Sequence, residues 1–142
     1  MKKTLYALVA LMILLVSAAG CGKNNGGTQD LPLQADDPEV LAKWDDYRML
    51  DGLPRYKYAG IFENIYVGAD DTVVVSYVGV SSDNYIDYTN ELIGAGCRLA
   101  EGSSIWLTEG MMGVPVFKWG SKEVTLVWSM NNDALDISVS AK

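Results

Sequence analysis

The sequence predicts an α+β domain, in which two short helices pack on a mainly antiparallel sheet of five or six strands. Two segments before Cys97 have helical spacing, and the chain after Cys97 has the patterns of strands alone. In the last two predicted strands apolar and polar residues alternate, which indicates a sheet with one buried and one solvated face. The chain of 142 residues has room for one such domain.

Two segments show both the spacing and the end signals of helices. The first helix is expected over residues 38–50, with Asp37 as its N-terminal cap and apolar residues at helical spacing. The second is expected over residues 83–93, with Ser81 or Ser82 as its cap and a face of tyrosine and leucine side chains. Glycines follow both segments, and glycine is a common helix stop.

The strands follow from runs of apolar and β-branched residues that are separated by turn residues. The segment Gly68-Ala69-Asp70-Asp71 lies between two such runs and predicts a hairpin loop. The run TVVVSYVGV after it is apolar on both faces, so we expect it in the interior of the sheet. The predicted strands are residues 61–67, 72–80, 105–109, 114–119, 123–130 and 134–140.

The composition disfavours several classes of function. Eleven Lys and Arg against eighteen Asp and Glu give a net charge of −7. An acidic chain without a basic run is a poor match for nucleic acid, so no nucleic-acid partner is expected. The chain has no histidine, which excludes Ser-His-Asp and Cys-His catalysis and removes the commonest zinc ligand. We therefore expect no catalytic residues, no metal and no cofactor, and an enzyme is the least favoured interpretation.

Three acidic pairs remain as candidates for calcium binding or acid-base chemistry: Asp36-Asp37, Asp45-Asp46 and Asp70-Asp71. The calcium-loop pattern D-x-[DN]-x-[DN]-G does not occur. The first pair falls at a helix cap, the second on the polar side of a helix and the third in a hairpin turn. Short acidic side chains favour such places, so we expect solvated structural carboxylates.

The N-terminal residues have the layout of a secretory signal peptide. Lys2 and Lys3 precede an apolar run that ends near Val16, and small residues follow up to Cys21. The segment Ala18-Ala19-Gly20-Cys21 resembles the lipobox of bacterial lipoproteins. This resemblance implies cleavage before Cys21 and a diacylglycerol on the sulfur of that residue.

The lipobox predicts a chain in three parts. Residues 1–20 are expected to be the signal peptide, residues 21–35 the lipidated cysteine and a flexible linker, and residues 36–142 a single domain. The domain is then held outside the cytoplasm, at the cell membrane or an outer membrane, by the lipid on Cys21. Because the domain is acidic, an anionic bilayer repels it, and its contact with the membrane is expected through the lipid alone.

Residues 53–97 contain the motifs Leu53-Pro54-x-Tyr56, Tyr77-x-Gly79-Val80-Ser81-x-Asp83-x-Tyr85 and Gly94-Ala95-Gly96. With these motifs the segment resembles a small domain of unknown function that occurs in bacterial lipoproteins. The resemblance implies fold and location but no activity, since the motifs mark a turn, a cap and a helix stop. It also places Cys97 at a core site, where the residues themselves indicate a buried and inert thiol, without a histidine to activate it.

Aromatic side chains are the candidates for ligand contact, because the chain has four Trp and eight Tyr. Trp44 and Trp128 fall on predicted core faces. Trp106, Phe117 and Trp119 do not, and they are the candidate ligand contacts. An exposed aromatic group can stack on a sugar ring or become buried against a protein, whereas packing within the small core is the alternative.

The leading hypothesis is therefore a non-enzymatic binding or interaction module that recognises a protein or a glycan of the cell envelope. The alternative is a structural or assembly lipoprotein that pairs with a partner protein through a sheet edge. An uncovered, uncharged edge strand would favour the alternative. The sequence leaves the oligomeric state open.

Overall fold

The computed structural model describes residues 31–104 and 114–142. Pro32–Lys142 form one compact unit. The helices of the described residues are α1 (Pro38–Asp45) and α2 (Ser82–Gly94), and short 3-10 turns lie at Arg48–Leu50 and Ala69–Asp71. The strands are β1 (Ile61–Val67), β2 (Val73–Val78), β3 (Arg98–Leu99), β4 (Val116–Trp119), β5 (Lys122–Ser129) and β6 (Ala134–Ala141).

These strands form one six-stranded sheet in the order β1-β2-β6-β5-β4-β3. Every pair of neighbouring strands is antiparallel. The predicted α+β class, with two helices on an antiparallel sheet, is therefore confirmed. As expected, β2 lies in the interior of the sheet, between β1 and β6.

The two faces of the sheet differ as the alternation predicts. Along β2, β5 and β6 every second residue is buried, and the residues between them keep part of their surface exposed. Both helices lie on the buried face: Trp44 of α1 donates a hydrogen bond to Tyr77, and the ring of Tyr85 in α2 stacks on Trp128. The buried side chains of these three strands are Val73, Val75, Tyr77, Val124, Leu126, Trp128, Leu135, Ile137 and Val139.

The first helix is shorter than predicted and is capped differently. It ends at Asp45, and a separate 3-10 turn follows at Arg48–Leu50 in place of the single helix expected over residues 38–50. Asp37 does not cap the helix with its side chain. Its Oδ2 instead accepts a hydrogen bond from the backbone N–H of Gln34 at 2.7 Å, because the chain bends there.

The second helix agrees with its end signals. Ser81 Oγ accepts a hydrogen bond from the backbone N–H of Asn84 at 3.2 Å, which is the N-terminal cap. The predicted apolar face is buried through Tyr85, Tyr88 and Leu92. Gly96 has a φ of +97°, a conformation that glycine adopts without strain, and the chain turns there into β3.

The packed part of the chain begins before residue 36. Gln34 bridges Ile61, Ala35 is fully buried, and the backbone N–H of Phe62 donates to the carbonyl of Leu33 at 2.8 Å. The flexible linker predicted over residues 21–35 is therefore too long at its C-terminal end. The boundary was placed too late in the chain because it was drawn from composition. The residue types at positions 33–35 do not show that this segment pairs with the start of β1.

The strands between α2 and β5 differ from the prediction. The strand expected over residues 105–109 lies outside the described residues. Strand β3 was missed, because two residues are too few to show a period. No helix within the described ranges is long and apolar enough to cross a membrane.

Candidate functional site

The candidate site is the face of the sheet opposite the helices. Its residues alternate with the buried ones along each strand, so the local strand period alone places them there. They come from five adjacent strands, and most are half-buried by their neighbours on the sheet. We call this surface the open face and define it by Tyr66, Val74, Ser76, Val78, Val116, Lys118, Glu123, Thr125, Val127, Asp136 and Ser138.

A fixed carboxylate lies near the middle of the open face. Ser76 and Asp136 are register partners on β2 and β6, and the hydroxyl of Ser76 donates to Asp136 Oδ1 at 2.6 Å. Val127 is the register partner of Asp136 on the other side. The hydrogen bond orients the carboxylate within a surface of small and apolar side chains, where it can accept from a donor on a partner molecule.

Basic side chains lie towards the β3 edge of the sheet, one on the open face and one on the neighbouring strand β3. Lys118 of β4 is the register partner of Arg98 on β3, and both are exposed. Glu123, across from Lys118 on β5, forms its ion pair with Lys142 at 3.4 Å. Among the described residues, the ion pairs include none of Arg98, Lys118 and Asp136. The open face therefore carries charges of both signs that form no ion pair with any described residue.

The structure corrects one of the candidate ligand contacts. Phe117 is fully buried, because it points to the helix-covered side of β4 and its exposed neighbour Lys118 points to the open face. A buried ring cannot contact a ligand at the surface, so Phe117 is a core residue. Trp106 lies outside the described residues.

Trp119 is half-buried and already has packing partners. The ammonium of Lys122 lies 4.9 Å from the centroid of its ring, a cation–π distance. The edge of the same ring lies so close to Gly52 that a Cβ there would come within 3.2 Å of Trp119 Cζ2. Trp119 therefore fastens the 3-10 turn region to the end of β4, and only part of its ring is available to a ligand.

The tyrosines form a second aromatic group, which is internal. Tyr56, Tyr77 and Tyr88 are fully buried, and the rings of Tyr56 and Tyr88 meet edge to face at 5.3 Å between centroids. Tyr88 donates to the carbonyl of Pro54 at 2.9 Å, and Tyr56 donates to that of Ala59 at 2.8 Å. Burial raises the pKa of all three hydroxyls, so none of them ionises near neutral pH. This group holds the chain around Pro54 against α2.

Cys97 is buried, as the sequence predicts. Its side chain is 3% exposed, and burial raises the pKa of its thiol. The reactive form of cysteine is the thiolate, which burial disfavours. The thiol is therefore a packing group at the start of β3.

The third acidic pair occupies the place predicted for it, since Asp70 and Asp71 lie in the β1–β2 hairpin loop. Asp37 lies at the start of α1 but accepts from the backbone of Gln34 instead of capping the helix, and Asp45, the last residue of α1, pairs with Arg55. No three His, Cys, Asp or Glu side chains among residues 31–104 and 114–142 are grouped so that they could hold a metal ion.

The outer edge of β1 is largely occupied by hydrogen bonds of this same domain. Residues 33–35 pair with its first residues. Beyond a bulge at Glu63, the backbone N–H of Ile65 donates to Asn64 Oδ1 at 2.8 Å, and the hydroxyl of Tyr47 lies 3.5 Å from the carbonyl oxygen of Ile65. Bulges and satisfied backbone groups are devices that prevent strand addition. Pairing with a partner through this edge is therefore disfavoured.

A groove of about 410 Å³ lies between α1 and β1. Its walls include Lys43, Tyr47, Phe62 and Asn64. The ammonium of Lys43 lies 5.6 Å from the centroid of the Phe62 ring, and Asn64 is engaged with the backbone of Ile65. Because its aromatic and amide groups already have partners in the domain, this groove is a weaker candidate than the open face.

No model of a protein family matches the chain, and no curated protein or solved structure matches it. The resemblance of residues 53–97 to a lipoprotein domain, and that of residues 18–21 to a lipobox, stay predictions.

Proposed function

We propose that this chain is a lipid-anchored protein of the bacterial cell envelope whose domain is a non-enzymatic interaction module. The diacylglycerol on Cys21 holds it at the cell membrane or an outer membrane, outside the cytoplasm. The open face of the sheet is the surface through which the domain binds its partner, a protein or a glycan of the envelope. The observation that carries this proposal is the open face itself, which combines apolar side chains with charges that form no ion pair among the described residues.

The chemistry of the described residues supports an interaction module over an enzyme. The tyrosine hydroxyls in the core are protonated near neutral pH, and the Cys97 thiol is buried. Asp136 is held by Ser76 on the open face of the sheet. The face of a sheet suits contact with a macromolecule better than enclosure of a small substrate, because small-molecule sites are concave.

The anchor is tested by labelling the full chain with a palmitate analogue in a bacterial host. We expect the label and detergent-phase partitioning to be lost in Cys21→Ser and retained in Cys97→Ala, the matched control for the other cysteine. Two acyl chains or more hold a protein stably on a membrane, so the loss should be nearly complete. Retention of the label in Cys21→Ser would contradict the anchor.

The binding surface is tested in the same host by a photo-crosslinking amino acid at Val127, on the open face. The matched position is Asn90, which is exposed on α2 and lies on the other side of the sheet. We expect covalent adducts from Val127 and none from Asn90. Adducts from Asn90 alone, or from neither position, would refute the open face as the binding surface.

A further inference from the structure

We propose that the partner of the open face is the open face of a second copy of this chain, related to the first by a two-fold axis that passes close to Thr125. The inference rests on the proposed function in one respect, namely that the open face is a contact surface. It goes further by naming the occupant and the residues that meet.

The register of the sheet fixes the positions of three residues relative to each other. Thr125 of β5 pairs with Val116 of β4 and with Ser138 of β6. Lys118 lies two residues beyond Val116 towards one end of the sheet, and Asp136 lies two residues from Ser138 towards the other end. Lys118 and Asp136 are thus symmetrically placed on either side of Thr125, about 16 Å apart from strand spacing and rise per residue.

This placement makes the open face complementary to itself. A two-fold axis that lies in the plane of the contact, passes Thr125 and runs perpendicular to the line from Lys118 to Asp136 brings Lys118 of each copy opposite Asp136 of the other. An isologous interface repeats every contact, so two Lys–Asp pairs form at once. Within one copy the same charges are too far apart to pair, and no other described residue forms an ion pair with either of them.

The remaining side chains suit close approach of two sheets. Val116 and Val127 border Thr125, and Val74 lies beyond Ser138 on β2. Packed sheets lie about 10 Å apart, a separation that an extended lysine facing an aspartate can span. Ser76 holds Asp136 in one orientation, so less side-chain entropy is lost when the pair forms.

A dimer of this kind follows the usual rules for soluble assemblies. Two-fold symmetric dimers are the commonest oligomers. Both copies use the same surface, so the assembly stops at two chains. Contact through the open face also differs from strand addition at β1, whose outer edge is occupied. The association is expected to weaken at high ionic strength, because salt screens the attraction between Lys118 and Asp136.

The position of the axis is tested by Thr125→Cys in the full chain, in membranes of the host. A residue on a two-fold axis faces the same residue of the other copy, and packed sheets lie about 10 Å apart, which is too far for a disulfide. We therefore expect a covalent dimer on a denaturing gel after treatment with a short thiol-specific cross-linker of about that span. Asn90→Cys on α2 and the unsubstituted chain are the matched controls and should remain monomeric. A monomeric Thr125→Cys, or equal dimer in Asn90→Cys, would overturn the proposed axis.

The charge pairs are tested by sedimentation of the full chain in detergent. We expect Lys118→Asp and Asp136→Lys each to weaken dimerisation by at least about tenfold, since both repeated pairs become repulsive. The double variant with both changes restores opposite charges and should return to within about threefold of the original. Asp87→Lys, the same charge change on the exposed side of α2, should have no effect. Failure of the double variant to recover overturns the pairing.

The adducts of the Val127 photo-crosslink separate this inference from the proposed function. An adduct of twice the chain mass that contains only this sequence supports both. An adduct with another protein or a glycan, from a chain that sediments as a monomer, leaves the proposed function standing and overturns the second copy. Absence of any adduct from the open face overturns both.

Discussion

The indole Nε1 of Trp44 donates a hydrogen bond to the hydroxyl oxygen of Tyr77 at 3.1 Å, deep in the core. The two residues lie 33 positions apart and join α1 to the interior strand β2. Trp44 is 2% exposed and Tyr77 is fully buried, so water cannot replace either partner. This bond fastens the first helix to the sheet.

We expect Tyr77→Phe to lower the free energy of unfolding by about 1–3 kcal/mol, because the buried indole N–H is left without its acceptor. Trp44→Phe should cost about 1–3 kcal/mol through lost volume. Urea unfolding of both single variants and the double variant gives the coupling energy, expected at about 0.5–1.5 kcal/mol. Strictly additive losses would show that the hydrogen bond contributes nothing.

Lys122 connects three parts of the molecule. Its ammonium donates to the carbonyl of Met49 at 2.9 Å and to that of Arg48 at 3.3 Å, and it lies over the ring of Trp119. We expect Lys122→Met to lower the free energy of unfolding by about 1–2 kcal/mol. Lys57→Met is the matched control: it breaks only the exposed pair with Glu91, which is worth less than about 1 kcal/mol. Equal losses in the two variants would contradict the special role of Lys122.

The loop between β1 and β2 contains two strained aspartates. Asp70 and Asp71 have φ values of +55° and +56°, a left-handed conformation that costs most residues about 1 kcal/mol or more. We expect Asp71→Gly to raise the free energy of unfolding by about 0.5–1 kcal/mol, measured by thermal or urea unfolding. Asp51→Gly, at a φ of −56°, should not stabilise the protein. A loss of stability in Asp71→Gly would show that the aspartate makes an interaction that outweighs the strain.

Tyr85 differs from the other buried tyrosines. Its hydroxyl has no hydrogen-bond partner among the described residues, whereas Tyr88 donates to Pro54. We expect Tyr85→Phe to raise the free energy of unfolding at pH 7 by up to about 1 kcal/mol, since an unsatisfied polar group leaves the core. Tyr88→Phe, the matched change three residues further along α2, should lower it by about 1 kcal/mol. The opposite ranking of the two variants would refute this difference.

Alkaline pH should unfold the protein through its tyrosines. Burial raises the pKa of Tyr85 to about 12, and burial together with the hydrogen bond to Glu91 raises that of Tyr58 to about 12. The native state therefore holds these protons where the unfolded state has lost them. This stability is fully present below pH about 10 and is lost as the pH rises towards 12. Urea unfolding from pH 8 to 12 measures the slope, which should be shallower in Tyr85→Phe. An unchanged slope would contradict the contribution of Tyr85.

Local sequence patterns were sufficient to predict those features that depend only on neighbouring residues in the chain. The Ser81 cap, the glycine stop of α2 at Gly96 and the hairpin loop before β2 each depend on a few adjacent residues, and the sequence predicted them. The end of α1 at Asp45 was not predicted, because Lys122, far along the chain, donates to the carbonyls of the turn that follows.

In the candidate site, too, the sequence predicted some features and not others. Alternation in β5 and β6 predicts that Thr125, Asp136 and Ser138 face solvent. Strand β4 has only four residues, which are too few to predict whether the Phe117 side chain lies on the helix-covered face or on the open face of the sheet. The sequence by itself determined the elements, their solvated side and the absence of histidine chemistry, since these depend on residue type and period. Only the tertiary structure decided that Lys118 and Asp136 lie on either side of Thr125, because strand order and register arise from pairing between distant segments.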